Sequence, residues 1–559
     1  MTWRLKFSLF ALLFAFLLIV VRLFYWQVVR AEDLADLGQS QYGRITKILS
    51  QRGEIETSDG FPIAANRVSY RIFANPKDIE DKEFVVNLLS PILKIDSATL
   101  SAQLSQNLFW VSLSTDVDSK TKNQIEKYDI RGIGFEQEFS RFYPEASMAA
   151  HLIGFVGKDD NGDSKGYFGL EGFYDKLLRG KEKSIIQVYD ALGRPILAKI
   201  NDDKRGEDGK TLVLSINRSI QFVAEKELKE GIERYGAEGG MVGVLDPKTG
   251  EILAMASFPS FDSKKYEEYP QENYKNPFIS NLYEPGSTFK PLIMGSAINE
   301  KKLKPTTVCP ICSGPISVGG YELKTWNDKY YPGTNMIEVI QHSDNTGMVF
   351  VGQTLGLDGM LKYFDKFGIG SVTGIDLQGE VAPEIKEKND WYEADLATAS
   401  FGQGISITPI ELLTSFSSIA NNGKMMQPHL VKEVHSRNGD VVDIEPKLIS
   451  RPISEATAKV MTEMLVNAVD KGEAKWTAIK EYRIAGKTGT ASIPIQGKYD
   501  PEKTIASFIG FAPADDPKFV MLVIFDRPKA RIYGSETAAP VFFSIARDIL
   551  SLYGIPPDR

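Results

Sequence analysis

One stretch near the start of this 559-residue chain has almost no choice of surroundings. Phe7 to Val21 is an uncharged apolar run of 15 residues, and Leu23 to Val29 prolongs it past Arg22. A helix apolar on every side belongs in a core or in lipid, and crossing about 30 Å of hydrocarbon takes about 20 residues. Arg22 is tolerated close to an interface, where its long stem lets the guanidinium snorkel, and Tyr25 and Trp26 suit the membrane–water boundary. Arg4 and Lys6 precede the run, and Glu32, Asp33 and Asp36 follow it. That asymmetry predicts a cytoplasmic tail over 1–6, a single-pass anchor over 7–29 in the cytoplasmic membrane, and everything beyond about residue 30 outside. A cleaved signal peptide is the competing reading, but no A-x-A-like site follows the run.

The rest is too long for one core, so two or three domains are expected. Hydrophobic content of 43% and charged content of 25% are those of an ordinary folded protein. The four cations of residues 1–30 leave the remainder of a −8 chain at −12, which argues against nucleic acid as a partner. Residues 30–45 are polar and read as a juxtamembrane linker or short helix. Residues 46–215 mix strand-like runs (Val68 to Phe73; Ser184 to Val188) with turn clusters, an α+β module without a catalytic cluster. Ile216, Ile220, Val223, Ala224, Leu228 and Ile232 repeat at helical spacing and stop before Gly236. They predict the helix that opens a second domain, 216–559. Met241 to Leu245 and Glu251 to Ala256 flank Asp246 to Gly250 as a hairpin.

That second domain holds three short motifs in order: Ser287-Thr288-Phe289-Lys290, Ser343-Asp344-Asn345 and Lys487-Thr488-Gly489-Thr490. Each supplies a part of an acyl-transfer site. Glu284-Pro285-Gly286 is a turn, and Phe289, Leu292 and Ile293 begin an apolar run, so Ser287 is expected in the first turn of a helix. Backbone N–H groups there lack internal partners and can face a developing oxyanion. Pro291 is compatible with a helix start. Lys290 follows one turn later on the same face.

A serine hydroxyl needs a base, and a lysine serves only when neutral, well below its usual pKa of about 10.4. Burial and a second cation push that way, and Lys487 is a candidate for the second cation. Ser343 is placed to relay a proton and Asn345 to hold a substrate amide. The run from Tyr482 through Lys487-Thr488-Gly489-Thr490, then Ile505 to Phe511, reads as a hairpin edge. Gly489 would leave room for substrate against the backbone, with Lys487 and Thr490 receiving a terminal carboxylate. Any one motif alone has a bland reading as helix start, loop cap or strand end. Three in this order, 56 and then 144 residues apart, do not.

Two other patterns point elsewhere. Cys309-Pro-Ile-Cys312 holds the only cysteines. In order of preference it is a structural disulfide or inert thiols, half of a metal site, or a redox pair. Asp159, Asn161 and Asp163 alternate like the start of a calcium loop, but Ser164 and Leu170 stand where Gly and Glu are needed, which leaves a polar loop.

The three motifs are those of the penicillin-binding proteins and serine β-lactamases. Nearly the whole chain resembles a class B penicillin-binding protein, a peptidoglycan D,D-transpeptidase. Arg52-Gly53-Glu54-Ile55, Arg141-Phe142-Tyr143-Pro144, Ala150 to Gly154 and Gly169-Leu170-Glu171 resemble signature blocks of that family's pedestal. Tyr283 to Pro291, Phe401-Gly402-Gln403-Gly404, Ser507 to Pro513 and Ala538 to Phe542 resemble blocks that flank its active site. Phe401 to Pro409 and Ile419 to Leu430 resemble the division and sporulation (FtsI and SpoVD) types.

The resemblance implies an α+β protein: one transmembrane helix, a pedestal or dimerisation-type domain over 46–215, and a transpeptidase/β-lactamase-like domain over 216–559 with an antiparallel sheet packed by helices. It implies Ser287, Lys290, Ser343 and Lys487 as catalytic residues, and Asn345, Thr488, Gly489 and Thr490 as substrate-binding residues. It implies D-Ala-D-Ala stem peptides as substrate, β-lactams as inhibitors, no cofactor or metal, and a SEDS-type (FtsW-like) glycosyltransferase as partner. A D,D-carboxypeptidase shares the acylation apparatus, and a wall-synthesis scaffold would need none of it. A class A β-lactamase would need an E-x-x-L-N sequence, absent between Asn345 and Lys487.

Overall fold

The computed structural model describes residues 2–31, 33–34, 43–48, 50–160, 162–181, 183–188, 207–495 and 498–559. The chain forms two compact units, Met1–Arg52 with Arg179–Gly209, and Gly53–Leu178 with Lys210–Arg559. The first holds the helix Trp3–Phe24, which continues as a π-helical turn, Tyr25–Val29. Together these form one apolar helix of 27 residues, Trp3–Val29, with no buried residue. That is long enough for one membrane span. Arg22 lies over the Trp26 ring at 5.1 Å, where cation and aromatic boundary coincide. Gly43–Ile48 pairs antiparallel with Lys183–Val188. Most of the linker expected over 30–45 falls outside the described residues, and its last residues belong to this strand.

The second unit is built on two sheets. In the five-stranded sheet the order is Ile252–Phe258, Gly239–Leu245, Phe519–Asp526, Lys498–Ala512 and Ala485–Ile495, all antiparallel. Its central strand is apolar almost throughout because both faces are covered. Phe519, Met521, Val523 and Phe525 pack with the helices Arg218–Tyr235 and Ala538–Leu552. Val520, Leu522 and Ile524 belong to the larger core that contains Lys290–Asn299 and Pro409–Ala420. Strand alternation therefore separates two cores, and the first of the three motifs, with Phe289 in its Ser287–Lys290 turn, packs on the second. The helix read from periodicity runs Arg218–Tyr235, capped by the Asn217 side chain and closed by Gly236 at φ 62°, so Ile216 stands just outside it. The hairpin across Asp246 to Gly250 is present.

The other sheet has seven strands and joins residues of 46–215 to residues of 216–559: Ile55–Glu56 pairs in parallel with Thr211–Leu214, which pairs with Val431–His435. Pro62–Ala74 carries both Val111–Val117 and Ile133–Phe142. Around it the helices Lys82–Leu93, Ser97–Leu104 and Ser119–Glu126 each start at an aspartate, Asp81, Asp96 and Asp118, that accepts backbone N–H groups of the first turn. Three signature blocks distant in sequence meet at one point. Arg141 donates to Glu171 at 2.6 Å and to the Gly53 carbonyl at 2.8 Å, with both charged side chains buried.

Asp159 and Asp163 form the tip of the hairpin Phe155–Lys158 and Ser164–Tyr167. The Asp163 N–H donates to Asp159 Oδ1 at 3.0 Å, and Asn161 lies outside the described residues. Cys309 and Cys312 are joined in a disulfide, the first of the readings open to them.

Candidate active site

Ser287 lies in a 3₁₀ turn, Gly286–Phe289, that feeds directly into the helix Lys290–Asn299. The serine therefore precedes the α-helix by one tight turn instead of occupying its first. Gly286 makes that turn possible at φ 55°, and its N–H donates to the Gly402 carbonyl at 2.9 Å. Thr288 locks the turn through Oγ1, which donates to the Pro285 carbonyl at 2.7 Å. Ser287 itself is half-buried, while Lys290 has no solvent exposure.

Lys290 Nζ reaches three oxygens: the Ser343 carbonyl at 2.7 Å, Asn345 Oδ1 at 2.8 Å and Ser343 Oγ at 3.2 Å. Ser343 stands between the helices Met336–Gln341 and Asn345–Leu355 with φ 55°, a left-handed conformation that costs a serine about 1–3 kcal/mol. In that conformation both its carbonyl and its hydroxyl face the lysine. Asp344 caps the second helix, accepting from Gly347 N–H at 3.1 Å and Thr346 Oγ1 at 2.7 Å. Asn345 Nδ2 donates to the Lys324 carbonyl at 3.0 Å.

The third motif lies on the edge strand Ala485–Ile495. Lys487 Nζ is buried and donates to Ser343 Oγ at 2.9 Å and to Thr488 O and Oγ1, each at 3.1 Å. Its three protons have three acceptors inside the site. Thr490 Oγ1 accepts from Gly534 N–H at 3.0 Å, which leaves its own proton available. A Cβ on Gly489 would stand 2.3 Å from Ser507 Oγ and 2.8 Å from Thr288 Cγ2. The space that glycine spares is thus filled by the serine-bearing turn and the neighbouring strand. This differs from the expected room for substrate, because the side-chain direction of residue 489 faces the turn.

Burial is the main reason Lys290 is held well below the usual lysine range, and the Lys487 ammonium adds to it. Lys487 is lowered by burial and raised in part by the Glu473 carboxylate. Two lysines thus share a desolvated pocket in which one proton too many is costly.

All three motifs converge here. Sequence reading missed Glu473, whose Oε2 accepts from Thr488 Oγ1 at 2.8 Å, and Gly534, because each is a lone residue with no motif around it. It also missed Trp326 and Tyr533, whose rings meet edge-on at 5.3 Å beside Lys324 and Gly534.

Residues 240–551 match the penicillin-binding protein transpeptidase domain, and residues 47–214 match the penicillin-binding protein dimerisation domain. Stage V sporulation protein D of Bacillus subtilis (strain 168) is 32% identical over 99% of this chain and 86% of its own length. The peptidoglycan D,D-transpeptidase FtsI of Escherichia coli K12 is 30% identical over 100% of this chain and 93% of its own. Penicillin-binding protein 2X from Streptococcus thermophilus superposes with a TM-score of 0.76 at 25% identity, covering 91% of this chain and 81% of that one. With the motif geometry and near-complete coverage in agreement, the chain belongs to the class B penicillin-binding proteins, serine-type peptidoglycan D,D-transpeptidases of the FtsI/SpoVD family.

Proposed function

We propose that Ser287 is the nucleophile that attacks the D-Ala-D-Ala carbonyl, releasing D-alanine and forming the acyl-enzyme that an amine of a neighbouring stem resolves. Lys290 takes the hydroxyl proton as a neutral amine, because in that form its two N–H groups match the two short carbonyl contacts and its lone pair stays free. Ser343, bonded to both lysines, passes the proton to the leaving group. The backbone N–H groups of Ser287 and Thr490 receive the oxyanion, and the turn lies against that strand: a Cβ on Gly286 would be 3.5 Å from Thr490 O. The free Thr490 proton and the field of Lys487 receive the terminal carboxylate, Thr488 and Gly489 shape that edge, and Asn345 orients the stem amide.

The observation that carries this assignment is the position of the Lys290 Nζ, buried and bonded to Ser343 and Asn345 of the second motif. Fluorescent penicillin is expected to label the wild type and not Ser287→Ala; equal labelling of both sinks the assignment.

The septum is the proposed place of action. The same reading takes residues 1–6 as cytoplasmic, 7–29 as the membrane anchor, 46–215 as pedestal and 216–559 as the extracytoplasmic transpeptidase domain. The sequence of residues 31–230 carries no second catalytic cluster, so the glycan strands are expected from a separate polymerase of the SEDS (FtsW-like) class. The anchor over 7–29 and the pedestal, which has no other evident task, are where that partner is expected to bind.

A further inference from the structure

Glu473 follows the helix Glu455–Lys471 and belongs to none of the three motifs. Its Oε2 accepts the Thr488 hydroxyl proton at 2.8 Å, and its Oε1 is shielded from solvent and accepts no hydrogen bond among the described residues. A hydroxyl has one proton to give. Because Thr488 gives it to Glu473, the oxygen can only accept from Lys487 Nζ at 3.1 Å. Lys487 then needs all three protons of an ammonium for its three acceptors, Thr488 Oγ1, Thr488 O and Ser343 Oγ. Lys290 Nζ has two shorter acceptors, the Ser343 carbonyl at 2.7 Å and Asn345 Oδ1 at 2.8 Å, and stands farther from Ser343 Oγ, at 3.2 Å. Two protons satisfy those two shorter contacts, so Lys290 can be the neutral member, with its lone pair left for Ser287.

We propose that Glu473 is a positioning residue that gives this hydrogen-bond chain its direction, holding Lys487 as the proton-carrying lysine and leaving Lys290 as the one that takes the Ser287 proton. The inference rests on the catalytic assignment above and goes beyond it by naming what breaks the symmetry between two buried lysines. The charged groups that face the pair are Asp344, before the helix Asn345–Leu355, and Glu473. Asp344 and Glu473 both act on Lys290, whereas Glu473 is the carboxylate that acts on Lys487, and it alone is linked to that lysine through the Thr488 hydroxyl. With a neutral amide at 473, Thr488 is free to reverse its hydroxyl, and Lys487 loses its proton at lower pH.

The test is the pH profile of Ser287 acylation in the full chain, followed with fluorescent penicillin, with the adduct located by intact-mass and peptide mapping. In Glu473→Gln the alkaline decline is expected to move down by about one pH unit, a loss of about tenfold above it, while Glu473→Asp keeps the wild-type limb. A limb that is unmoved or raised overturns the proposal, as does a loss of rate equal at every pH, which is what a merely structural role gives. If Glu473→Gln does not fold, Thr488→Val removes the same link and must lower the limb; a limb unmoved there overturns it equally. An adduct absent from Ser287 in the wild type would instead defeat the catalytic assignment, so the two failures are separate.

Discussion

Lys290 shows how much chemistry one buried side chain can carry. Its burial first, and then the ammonium at Lys487, favour an amine over an ammonium. Lys290→Met keeps most of the volume and removes the base, so acylation should fall by about 10²–10⁴-fold, read as the rate of penicillin labelling. The same substitution has a thermodynamic signature. Between the depressed native value and the ordinary one, the unfolded chain binds the proton and the folded chain does not. Wild-type stability therefore rises with pH through that window, and the contribution is lost as pH falls. Lys290→Met should remove this slope in denaturation measured at a series of pH values, and a slope that persists would mean Lys290 stays charged. At this scale the sequence named Ser287, Lys290, Ser343 and Lys487 through their spacing. It was silent on Glu473, because what marks that residue is a hydroxyl 15 positions away in the chain.

At the scale of elements, the site depends on a tight turn pressed against a strand edge. Gly489→Ala puts a methyl into Ser507 Oγ and Thr288 Cγ2. Overpacking of this kind costs about 1–3 kcal/mol, and here the strain falls on the turn that carries Ser287. Labelling should slow at least about tenfold from a shift near 1 Å, with a Tm fall to match. Wild-type labelling kinetics would remove this explanation of the glycine.

The helix Pro409–Ala420 gives a second element-scale prediction. Its capping box is Thr408 and Glu411, and Glu411 also accepts the Gly370 N–H at 3.0 Å. Burial pushes the Glu411 carboxyl up to about 7. Between the unfolded value of about 4.5 and 7 the native state binds the extra proton, so this contribution to stability falls as pH rises through the window and is constant above it. Glu411→Gln should be relatively more stable at pH 7.5 than at pH 5, by up to about 3 kcal/mol in urea titrations. The same difference at both pH values would contradict it.

At the scale of the molecule, the second unit is joined by pairs that no local pattern announces. Arg141→Ala takes the Arg141 guanidinium from the buried Glu171 carboxylate and from the Gly53 carbonyl, which should cost about 1–3 kcal/mol. Calorimetry of the full chain would show it as a lowered Tm; an unchanged Tm would make the pair dispensable. The anchor is tested by exchange: replacing residues 1–30 with an unrelated single-span helix should weaken polymerase co-purification and cross-linking. Survival of both would leave the anchor as a tether alone.

The sequence by itself determined what depends on composition and short spacing. The apolar run, the period of the helix Arg218–Tyr235, the hairpin across Asp246 to Gly250 and the three motifs are all encoded within a few residues, where local sterics and hydrophobic pattern act. Tertiary structure alone decided what depends on neighbours far along the chain. Period-2 strands show that two faces are buried, but only the order of the five strands decides which core receives Leu522 and which Val523. Gly489 is legible as a glycine, yet its reason is Thr288, brought against it by folding. The hydrogen bonds that link Glu473, Thr488, Lys487 and Ser343 are likewise tertiary, since they are set by distance in space and not by distance in sequence.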